Sequence, residues 1–396
     1  MSALPQLAKL PAVVAPPAHP TAHLLFIIDG LCGMGGAERV LLTLARRLPE
    51  HGFCCSVATF AVDPDLPDLK NLPCPLHVFP MKRTYGWQGL KTARKLRRLI
   101  RSERFEVVHT FFETSDIFGG LVAKLSGARV LVSSRRDMGI LRSAKHRVAY
   151  RFMGRLFDQV QTVSEQVRDF CIREDRLKPE RVVTLYNGID LQNTATENTG
   201  GGRSAVDLNR ANHRIVTVGN IRRVKGIDVL VRAAAQVCQR YPGTLFLVVG
   251  EIQDAQYYQE LLSLARSLNI FDNMKFLGPS RDVFSVLRQS DIFCLLSRNE
   301  GFSNAVLEAM GCGLPCVVTD VGGNREAISE GRNGFLVPSE DAEAAAARIL
   351  TLIENPKCAR QMGQLGRVTV EEKFTTDAMI TRLVSLYHGL LGRCTP

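Results

Sequence analysis

Short apolar runs alternate with amphipathic runs along almost the whole chain. Seven apolar runs in the first half are rich in Val, Leu and Ile on both faces, as buried parallel strands are: 24–28, 55–60, 77–79, 107–111, 130–133, 160–163 and 182–185. Helical periodicity between them predicts helices at 37–48, 89–101, 115–125 and 165–173. Six further strands are predicted at 215–218, 246–249, 275–277, 292–296, 316–319 and 335–337. This alternation predicts parallel sheets with right-handed crossovers.

A segment rich in Asn, Thr and Gly, at 192–212, interrupts the alternation and predicts a flexible connection. The chain is therefore expected to form two doubly wound, Rossmann-like α/β domains. Because ligands bind beyond the carboxyl ends of such strands, the domains would face a central cleft. The predicted parts are a flexible tail (1–22), a first domain (23–190), a linker (191–213), a second domain (214–374) and a C-terminal helix packing back on the first domain (375–396).

The composition is that of a globular cytoplasmic protein. Of the 396 residues, 45% are apolar and 22% are charged, which excludes a disordered or repeat-dominated chain. Eleven cysteines without any Cys-x-x-Cys pair fit neither a zinc cage nor a secreted disulfide framework, so we expect buried thiols in a reducing compartment. No apolar run reaches 18 residues, and the Pro-rich start lacks a basic segment, so neither a membrane span nor a signal peptide is predicted.

The positive charge is concentrated in the first half. Residues 1–190 contain 28 Lys and Arg against 18 Asp and Glu, whereas residues 191–396 contain 22 against 21. This imbalance predicts an anionic partner for the first domain, such as a membrane surface. Two basic stretches, 90–101 with its apolar stripe and 142–155 beside Phe152, would either lie on anionic lipid or be solvated faces of domain helices. Scarce aromatic residues argue against nucleic acid.

The strongest chemical signal is the segment 300–308, which follows the predicted strand 292–296. Glu300 lies on a loop, and a helix is predicted to begin near Ser303 or Asn304, since both are good caps. The free amides of that turn and the helix dipole would hold a phosphate. Glu308, further along the helix, can accept hydrogen bonds from paired sugar hydroxyls. The alternative is a solvated helix carrying two unrelated glutamates, which the surrounding caps disfavour.

A second signal is the basic loop that follows the strand at 215–218. Gly219 allows a sharp turn, and Arg222, Arg223 and Lys225 then place cations at the carboxyl end of the strand. Arginine and lysine there would bind a diphosphate. Taken alone, a solvated basic turn is equally consistent with this pattern.

Two features of the first domain are weaker signals. Gly35 and Gly36 lie in a loop after the first strand that would let backbone approach a ligand, and Glu38 stands where a nicotinamide-type motif needs its third glycine. His109 is expected to end the strand 107–111 at the cleft edge, where it would contact a sugar hydroxyl or help place a nucleophile. A structural histidine whose hydrogen bonds are satisfied is the alternative.

With these residues the chain resembles the large retaining GT-B glycosyltransferases of family 4, also called group 1. The segment 300–308 is similar to the family's two-glutamate motif, Gly35-Gly36 to its N-terminal glycine loop, and 187–190 to the segment that closes its first domain. The resemblance covers nearly the whole chain. It implies that Glu300 contacts the donor sugar and is catalytic with His109, and that Glu308 holds the ribose. It also implies that Gly301, Phe302, Ser303 and Asn304 line the sugar and diphosphate, and that Lys225 binds the diphosphate.

Two positions depart from the family pattern. Asn220 stands where the family often has Arg, and we expect Arg222 to take over that phosphate contact. The first-domain motif is His109-Thr110-Phe111 where the family often has His-x-His, which leaves the catalytic role of His109 open.

The resemblance implies transfer of a sugar from a nucleotide sugar to a lipid-linked or saccharide acceptor, in polysaccharide or glycolipid biosynthesis. No cofactor and no metal ion are expected; the Asp-x-Asp at 63–65 lies in a Pro-rich loop away from the motif strands. A cytoplasmic, peripheral membrane enzyme on the inner face is the location that fits the charge. The alternatives are a sugar-nucleotide epimerase on the same fold, which would turn over donor without acceptor, and a non-catalytic nucleotide-sugar-binding protein.

Overall fold

The chain folds into two compact units. A computed structural model describes residues 22–81, 83–139, 144–195, 211–280 and 282–393. The first unit contains the chain up to Val163, residues Val167–Leu185, and the chain from Ile380 onward; the second contains Ser164–Gln166 and Tyr186–Met379. Residues 1–21 of the predicted tail (1–22) and the Gly-rich part of the predicted linker at 196–210 lie outside the described residues, and Ala22 is the first residue of a strand.

The first unit is built on a seven-stranded parallel sheet with the strand order β3-β2-β1-β4-β5-β6-β7. Its strands are β1 (Ala22–Ile28), β2 (Phe53–Thr59), β3 (Leu76–Val78), β4 (Val107–Phe111), β5 (Val130–Arg135), β6 (Gln159–Thr162) and β7 (Val182–Thr184). Its helices are α1 (Gly36–Arg47), α2 (Gly86–Ser102), α3 (Gly120–Ser126), α4 (Ala144–Met153) and α5 (Glu165–Glu174). The central strands are buried on both faces, because crossover helices cover both sides of a parallel sheet.

The second unit has a six-stranded parallel sheet in the order β10-β9-β8-β11-β12-β13. After the short helix α6 (Gln192–Ala195), its strands are β8 (His213–Val218), β9 (Thr244–Val249), β10 (Met274–Gly278), β11 (Ile292–Leu295), β12 (Cys316–Thr319) and β13 (Phe335–Val337). Its helices are α7 (Ile227–Arg240), α8 (Ala255–Ser267), α9 (Val283–Arg288), α10 (Asn304–Gly311), α11 (Asn324–Ala327), α12 (Ala342–Glu354) and α13 (Pro356–Lys373). Every predicted strand is present, so the expected pair of doubly wound α/β sheets is confirmed.

A long helix, α14 (Thr376–Arg393), ends the described chain and belongs to the first unit from Ile380 onward. Its buried side chains recur on one face: Ile380, Leu383, Tyr387 and Leu390. The ring of Tyr387 packs against Phe53 of β2, with ring centroids 5.5 Å apart. This helix therefore completes the core of a unit whose sheet ends almost two hundred residues earlier in the chain.

The apolar stripe predicted on 90–101 faces the interior of the first unit. Leu96 and Ile100 of α2 are fully buried, and α2 packs beside α3. The expectation that this stripe lies on lipid is therefore wrong for Leu96 and Ile100, because the protein core covers them, whereas Leu90 at the start of the stripe is 44% exposed. The cations of the same helix lie on its exposed side.

Candidate active site

The two strongest sequence signals meet at the carboxyl edge of the second sheet. Strands β8 and β11 are neighbours, with the connections from β8 leading to one side of the sheet and those from β11 to the other. Loops that leave such a switch point diverge and open a crevice, where ligands of doubly wound sheets bind. The basic loop follows β8, and the Glu300 loop follows β11.

Glu300 and Lys225 form the central contact of this edge. The ammonium Nζ of Lys225 lies 2.6 Å from Oε1 of Glu300, and the Ser297 hydroxyl donates to the same oxygen over 2.6 Å. The alkyl chain of Lys225 lies on Gly219, where an added Cβ would be 3.3 Å from the lysine Cε. The side chains of Lys225 and Glu300 are 17% and 11% exposed, so a small anion can still reach them.

The two arginines of the basic loop point in different directions. Nη2 of Arg223 lies 2.7 Å from both carboxylate oxygens of Glu260, and its guanidinium lies over the Tyr257 ring. Arg222 is exposed, and its side chain has no partner among the residues that the structure describes. Arg222 is therefore the arginine available to a ligand.

A network of side chains, which sequence reasoning missed, fixes the basic loop to the loop after β11. Arg298 donates two parallel hydrogen bonds, of 2.9 and 2.8 Å, to the carboxylate of Asp228, and it also contacts Glu340. The Arg298 side chain donates to the carbonyl of Arg223, and its backbone amide donates to the carbonyl of Val224. Burial raises the pKa of Asp228, but the hydrogen bonds from Arg298 and Tyr257 outweigh it, so the net pKa is lowered. The carboxylate stays charged and the loop stays anchored.

The helix α10 begins where the sequence predicts. Ser303 is its N-cap residue in extended conformation, and its side chain makes no capping hydrogen bond. Asn304 accepts a 2.7 Å hydrogen bond from the Asn187 side chain, within the segment 187–190. Glu308 lies further along the same helix and is 9% exposed. The side chain of the N-cap residue therefore does not accept a hydrogen bond from the first-turn amides of α10.

Gly301 and Phe302 shape the loop between Glu300 and α10. The carbonyl of Gly301 accepts a hydrogen bond from the amide of Gly323, at 3.0 Å. Phe302 is buried in an aromatic cluster with Tyr186 and Phe374, with ring centroids 5.1 and 5.3 Å away. The phenyl ring of Phe302 thus supports the loop by packing.

A glycine after β12 sits directly against the Glu300 backbone. Gly322 has φ of +55°, and a Cβ at this position would overlap the carbonyl oxygen of Glu300. Only glycine combines that left-handed conformation with so close an approach. Gly322 therefore sets the position of the Glu300 loop.

His109 is not placed as predicted. It is the middle residue of β4, fully buried, with Nδ1 2.6 Å from the Tyr387 hydroxyl. Its ring packs between Phe26 and Phe111. Burial, and secondarily the charge of Arg136, lower the pKa of His109 to about 3, so the ring is neutral. The expected position at an open edge is wrong because the imidazole is enclosed by the core and by α14.

The carboxyl edge of the first sheet has its own polar residues at the switch point between β1 and β4. Asp29 follows β1 and accepts hydrogen bonds from the amides of Thr114 and Ser115, at 2.9 and 2.6 Å. Phe112 has φ of +73°, which is strained for a bulky residue. Nδ1 of His146 lies 3.1 Å from Oε2 of the next residue, Glu113. None of these residues carries a sequence signal, because their proximity depends on strand order.

The predicted glycine loop lies beside this edge. Gly35 is the N-cap residue of α1, and Gly36 is the first residue of that helix. An added Cβ at Gly35 would lie 2.6 Å from Oε2 of Glu38, so the carboxylate folds back over the loop. Burial lowers the pKa of Arg136 to about 10, although the negative charges of Glu38 and Asp137 act to raise it.

In the described ranges, no helix is both long enough and apolar enough to cross a bilayer. Across the same ranges, no three His, Cys, Asp or Glu side chains come together as potential metal ligands.

Comparison with known proteins gives consistent matches over both units. The profile of the family Glycosyltransferase Family 4 matches residues 34–193, and that of Glycosyl transferases group 1 matches residues 203–369. N-acetyl-alpha-D-glucosaminyl L-malate synthase of Bacillus anthracis is 26% identical over 368 residues, which are 90% of this chain and 95% of that protein. UDP-Gal:alpha-D-GlcNAc-diphosphoundecaprenol alpha-1,3-galactosyltransferase of Escherichia coli is 24% identical over 373 residues, again 90% and 95%.

The fold also matches a solved structure. HepE of Anabaena in complex with UDP superposes with a TM-score of 0.80 at 20% identity, over 93% of this chain and all of the other. The expected GT-B fold class is thereby confirmed. The chain belongs to the family 4, group 1 glycosyltransferases, and it is a glycosyltransferase.

Proposed function

We propose that this enzyme transfers a sugar from a nucleotide diphosphate donor to a hydroxyl acceptor with retention of anomeric configuration, in the synthesis of a polysaccharide or glycolipid. The observation that carries the proposal is the Lys225–Glu300 contact at the switch point of the second sheet. A cation for the diphosphate and a carboxylate for the sugar are thus adjacent, as one bound nucleotide sugar requires.

The proposed roles follow the charge that develops in the reaction. As the bond from the sugar carbon to the diphosphate breaks, negative charge grows on the leaving group and positive charge on the sugar ring. Arg222, Lys225 and the first-turn amides of α10 would stabilise the leaving diphosphate. Glu300 would contact the sugar, and Glu308 would accept hydrogen bonds from the ribose. Because protein groups meet the charge of the diphosphate, we expect turnover without a metal ion and in the presence of a chelator.

The Lys225–Glu300 pair indicates how donor binding reorganises the site. In the structure, the Lys225 ammonium is paired with the Glu300 carboxylate. A diphosphate is a stronger anionic partner and would draw Lys225 away, which leaves the Glu300 carboxylate free to bind sugar hydroxyls. Donor binding would therefore prepare the carboxylate for its role.

The relatives suggest which substrates to test first. The Escherichia coli relative is named for a UDP-Gal donor and a diphosphoundecaprenol acceptor, and the Anabaena protein was solved with UDP. We therefore propose a uridine diphosphate sugar as donor and a lipid-linked acceptor. A lipid-linked acceptor fits the positive first half of the chain, and we propose that the enzyme works at the cytoplasmic face of an anionic membrane.

Steady-state kinetics of two matched variants test the proposed function. Glu300→Gln should lower kcat about 100-fold or more, with nucleoside diphosphate affinity retained or tightened because the competitor for Lys225 is gone. Glu308→Gln should mainly raise KM for the donor, since ribose contacts are equal in ground and transition states. Equal effects of both variants on kcat and KM would contradict these assignments.

A further inference from the structure

The N-terminal end of α2 exposes large side chains that nothing in the described chain covers. Trp87 is 82% exposed, Tyr85 is 70% exposed and Leu90 is 44% exposed. Tryptophan is highly buried on average, so an almost fully solvated one indicates a surface with a partner. Trp87 is also the single tryptophan of the chain.

A row of cations continues from this tryptophan along the helix. Lys91, Arg94 and Arg98 follow Trp87 at spacings of four, seven and eleven residues, which places all four on one face. Leu96 and Ile100, on the opposite face, are buried. The three cations are exposed, and none forms an ion pair with a described residue. No Asp or Glu occurs between residues 69 and 102, so the face has no internal counter-charge.

We infer that this face docks on the surface of an anionic lipid bilayer. The α2 patch consists of Tyr85, Trp87, Leu90, Lys91, Arg94 and Arg98. The aromatic rings and Leu90 would enter the headgroup layer, where Tyr and Trp are favoured, and the cations would lie over anionic headgroups. The inference rests on the proposed membrane location and names the element that makes the contact.

The arrangement fits lipid better than nucleic acid. A surface for single strands interleaves aromatic rings with cations so that successive bases stack. In the α2 patch, both rings lie at one end, and the rest of the face is cationic. One apolar end beside a field of positive charge matches a bilayer, which offers an interfacial layer and a uniformly negative surface.

The intrinsic fluorescence of the full-length protein tests the inference directly, because all tryptophan emission comes from Trp87. Phosphatidylglycerol-containing vesicles at low salt should shift the emission to shorter wavelength, and brominated lipids should quench it. Pure phosphatidylcholine vesicles should do neither. High salt should weaken the effect, since it screens the cations.

Two variants that each remove three exposed cations, one in the α2 patch and one elsewhere, test whether the position of the charge matters. The triple variant Lys91→Ser, Arg94→Ser, Arg98→Ser should bind anionic vesicles roughly 100-fold more weakly at low salt, about fivefold for each cation. The control variant Lys357→Ser, Arg360→Ser, Arg332→Ser also removes one exposed lysine and two exposed arginines, all in the second unit. The control should stay within a few-fold of wild type in the same assay.

The possible results distinguish the α2 contact from the proposed membrane location and from the proposed sugar transfer. If the wild-type protein does not sediment with anionic vesicles, both the membrane location and the α2 patch are wrong. If it sediments but Trp87 emission is unchanged, the location stands and another surface makes the contact. If heparin or single-stranded RNA shifts the emission as strongly as lipid does, the partner is a soluble polyanion. Sugar transfer to a water-soluble acceptor analogue, measured alongside, reports on the proposed chemistry independently.

Discussion

Lys225 and Arg223 are two residues apart, but the structure gives them different partners. Lys225 reaches Glu300, whereas Arg223 is held by Glu260. Lys225→Ala should weaken nucleoside diphosphate binding by about 1.5–3 kcal/mol, the range for a hydrogen bond to a charged group. Arg223→Ala should leave the affinity unchanged and serves as the control. Calorimetric titration decides between them; equal losses in both variants would mean that the loop acts only through its overall charge.

The environment of His109 predicts a pH dependence of stability. Its pKa of about 3 in the folded protein lies below the ~6.5 of an unfolded chain, so the unfolded state binds a proton that the folded state excludes. Protonation of this group does not affect the free energy of unfolding above pH 6.5. As the pH falls from 6.5 toward 3, the free energy of unfolding decreases by up to about 1.4 kcal/mol per pH unit. In urea unfolding, the advantage of wild type over His109→Gln should shrink from pH 7 to pH 4.

A second variant tests the hydrogen bond that the His109 ring makes in the folded protein. Tyr387→Phe should lower the free energy of unfolding by about 1 kcal/mol at pH 7, because His109 Nδ1 loses its hydrogen bond. A pH-independent gap between wild type and His109→Gln would show that the imidazole does not titrate on unfolding in this window.

At the scale of single residues, the sequence predicts those parts of the site whose residues lie close together in the chain. Glu300, Ser303 and Asn304 follow one strand, so their shared loop could be expected. The Lys225–Glu300 contact and the Asp228–Arg298 pair join positions about seventy residues apart. Only the order of β8 and β11 brings these side chains together. The burial of His109 under α14 likewise could not be predicted from the sequence, because nothing in the motif 109–111 indicates that Tyr387 contacts it.

Among the elements, the turn after β12 is where backbone geometry controls the site. Gly322→Ala would introduce a Cβ against the Glu300 carbonyl as well as a strained φ. We expect it to lower both the melting temperature and kcat, since the Glu300 loop must move. Gly331→Ala is the matched control, with φ of +73° but open space around its Cβ. Both variants share the left-handed strain of about 1–3 kcal/mol, so the difference in kcat isolates the close approach.

The elements themselves were largely predictable, and their surroundings were not. Buried parallel strands such as β4 and β12 are continuous apolar runs, which the pattern identifies directly. In α2, the pattern located an apolar stripe but not its partner, which is the first unit itself. The exposed Trp87 lies at the helix start, outside the periodic stripe, so no hydrophobic pattern draws attention to it. Phe112 adopts a positive φ that no residue preference would suggest.

For the whole molecule, the dependence of the first unit on α14 can be tested with fragments. Residues 22–185 alone leave uncovered the surface around Phe53 and His109 that Tyr387 fills. We expect that fragment to aggregate, and the same fragment joined through a flexible linker to residues 376–393 to unfold cooperatively. The joined fragment with Tyr387→Asp is the control and should behave like the shorter one. A stable, monomeric fragment 22–185 would show that α14 is dispensable.

The place of α14 in the chain also sets the order in which the protein can be completed during its synthesis. The first sheet leaves the ribosome early, but the ribosome must add ~195 residues between Leu185 and Ile380 before the covering helix exists. At about 5–20 residues per second, this interval lasts roughly 10–40 seconds. The second unit is contained almost entirely in that interval, so it can reach its native state first. In this protein the half that is translated first is the half that matures last, and its uncovered core is what a chaperone on the nascent chain would meet.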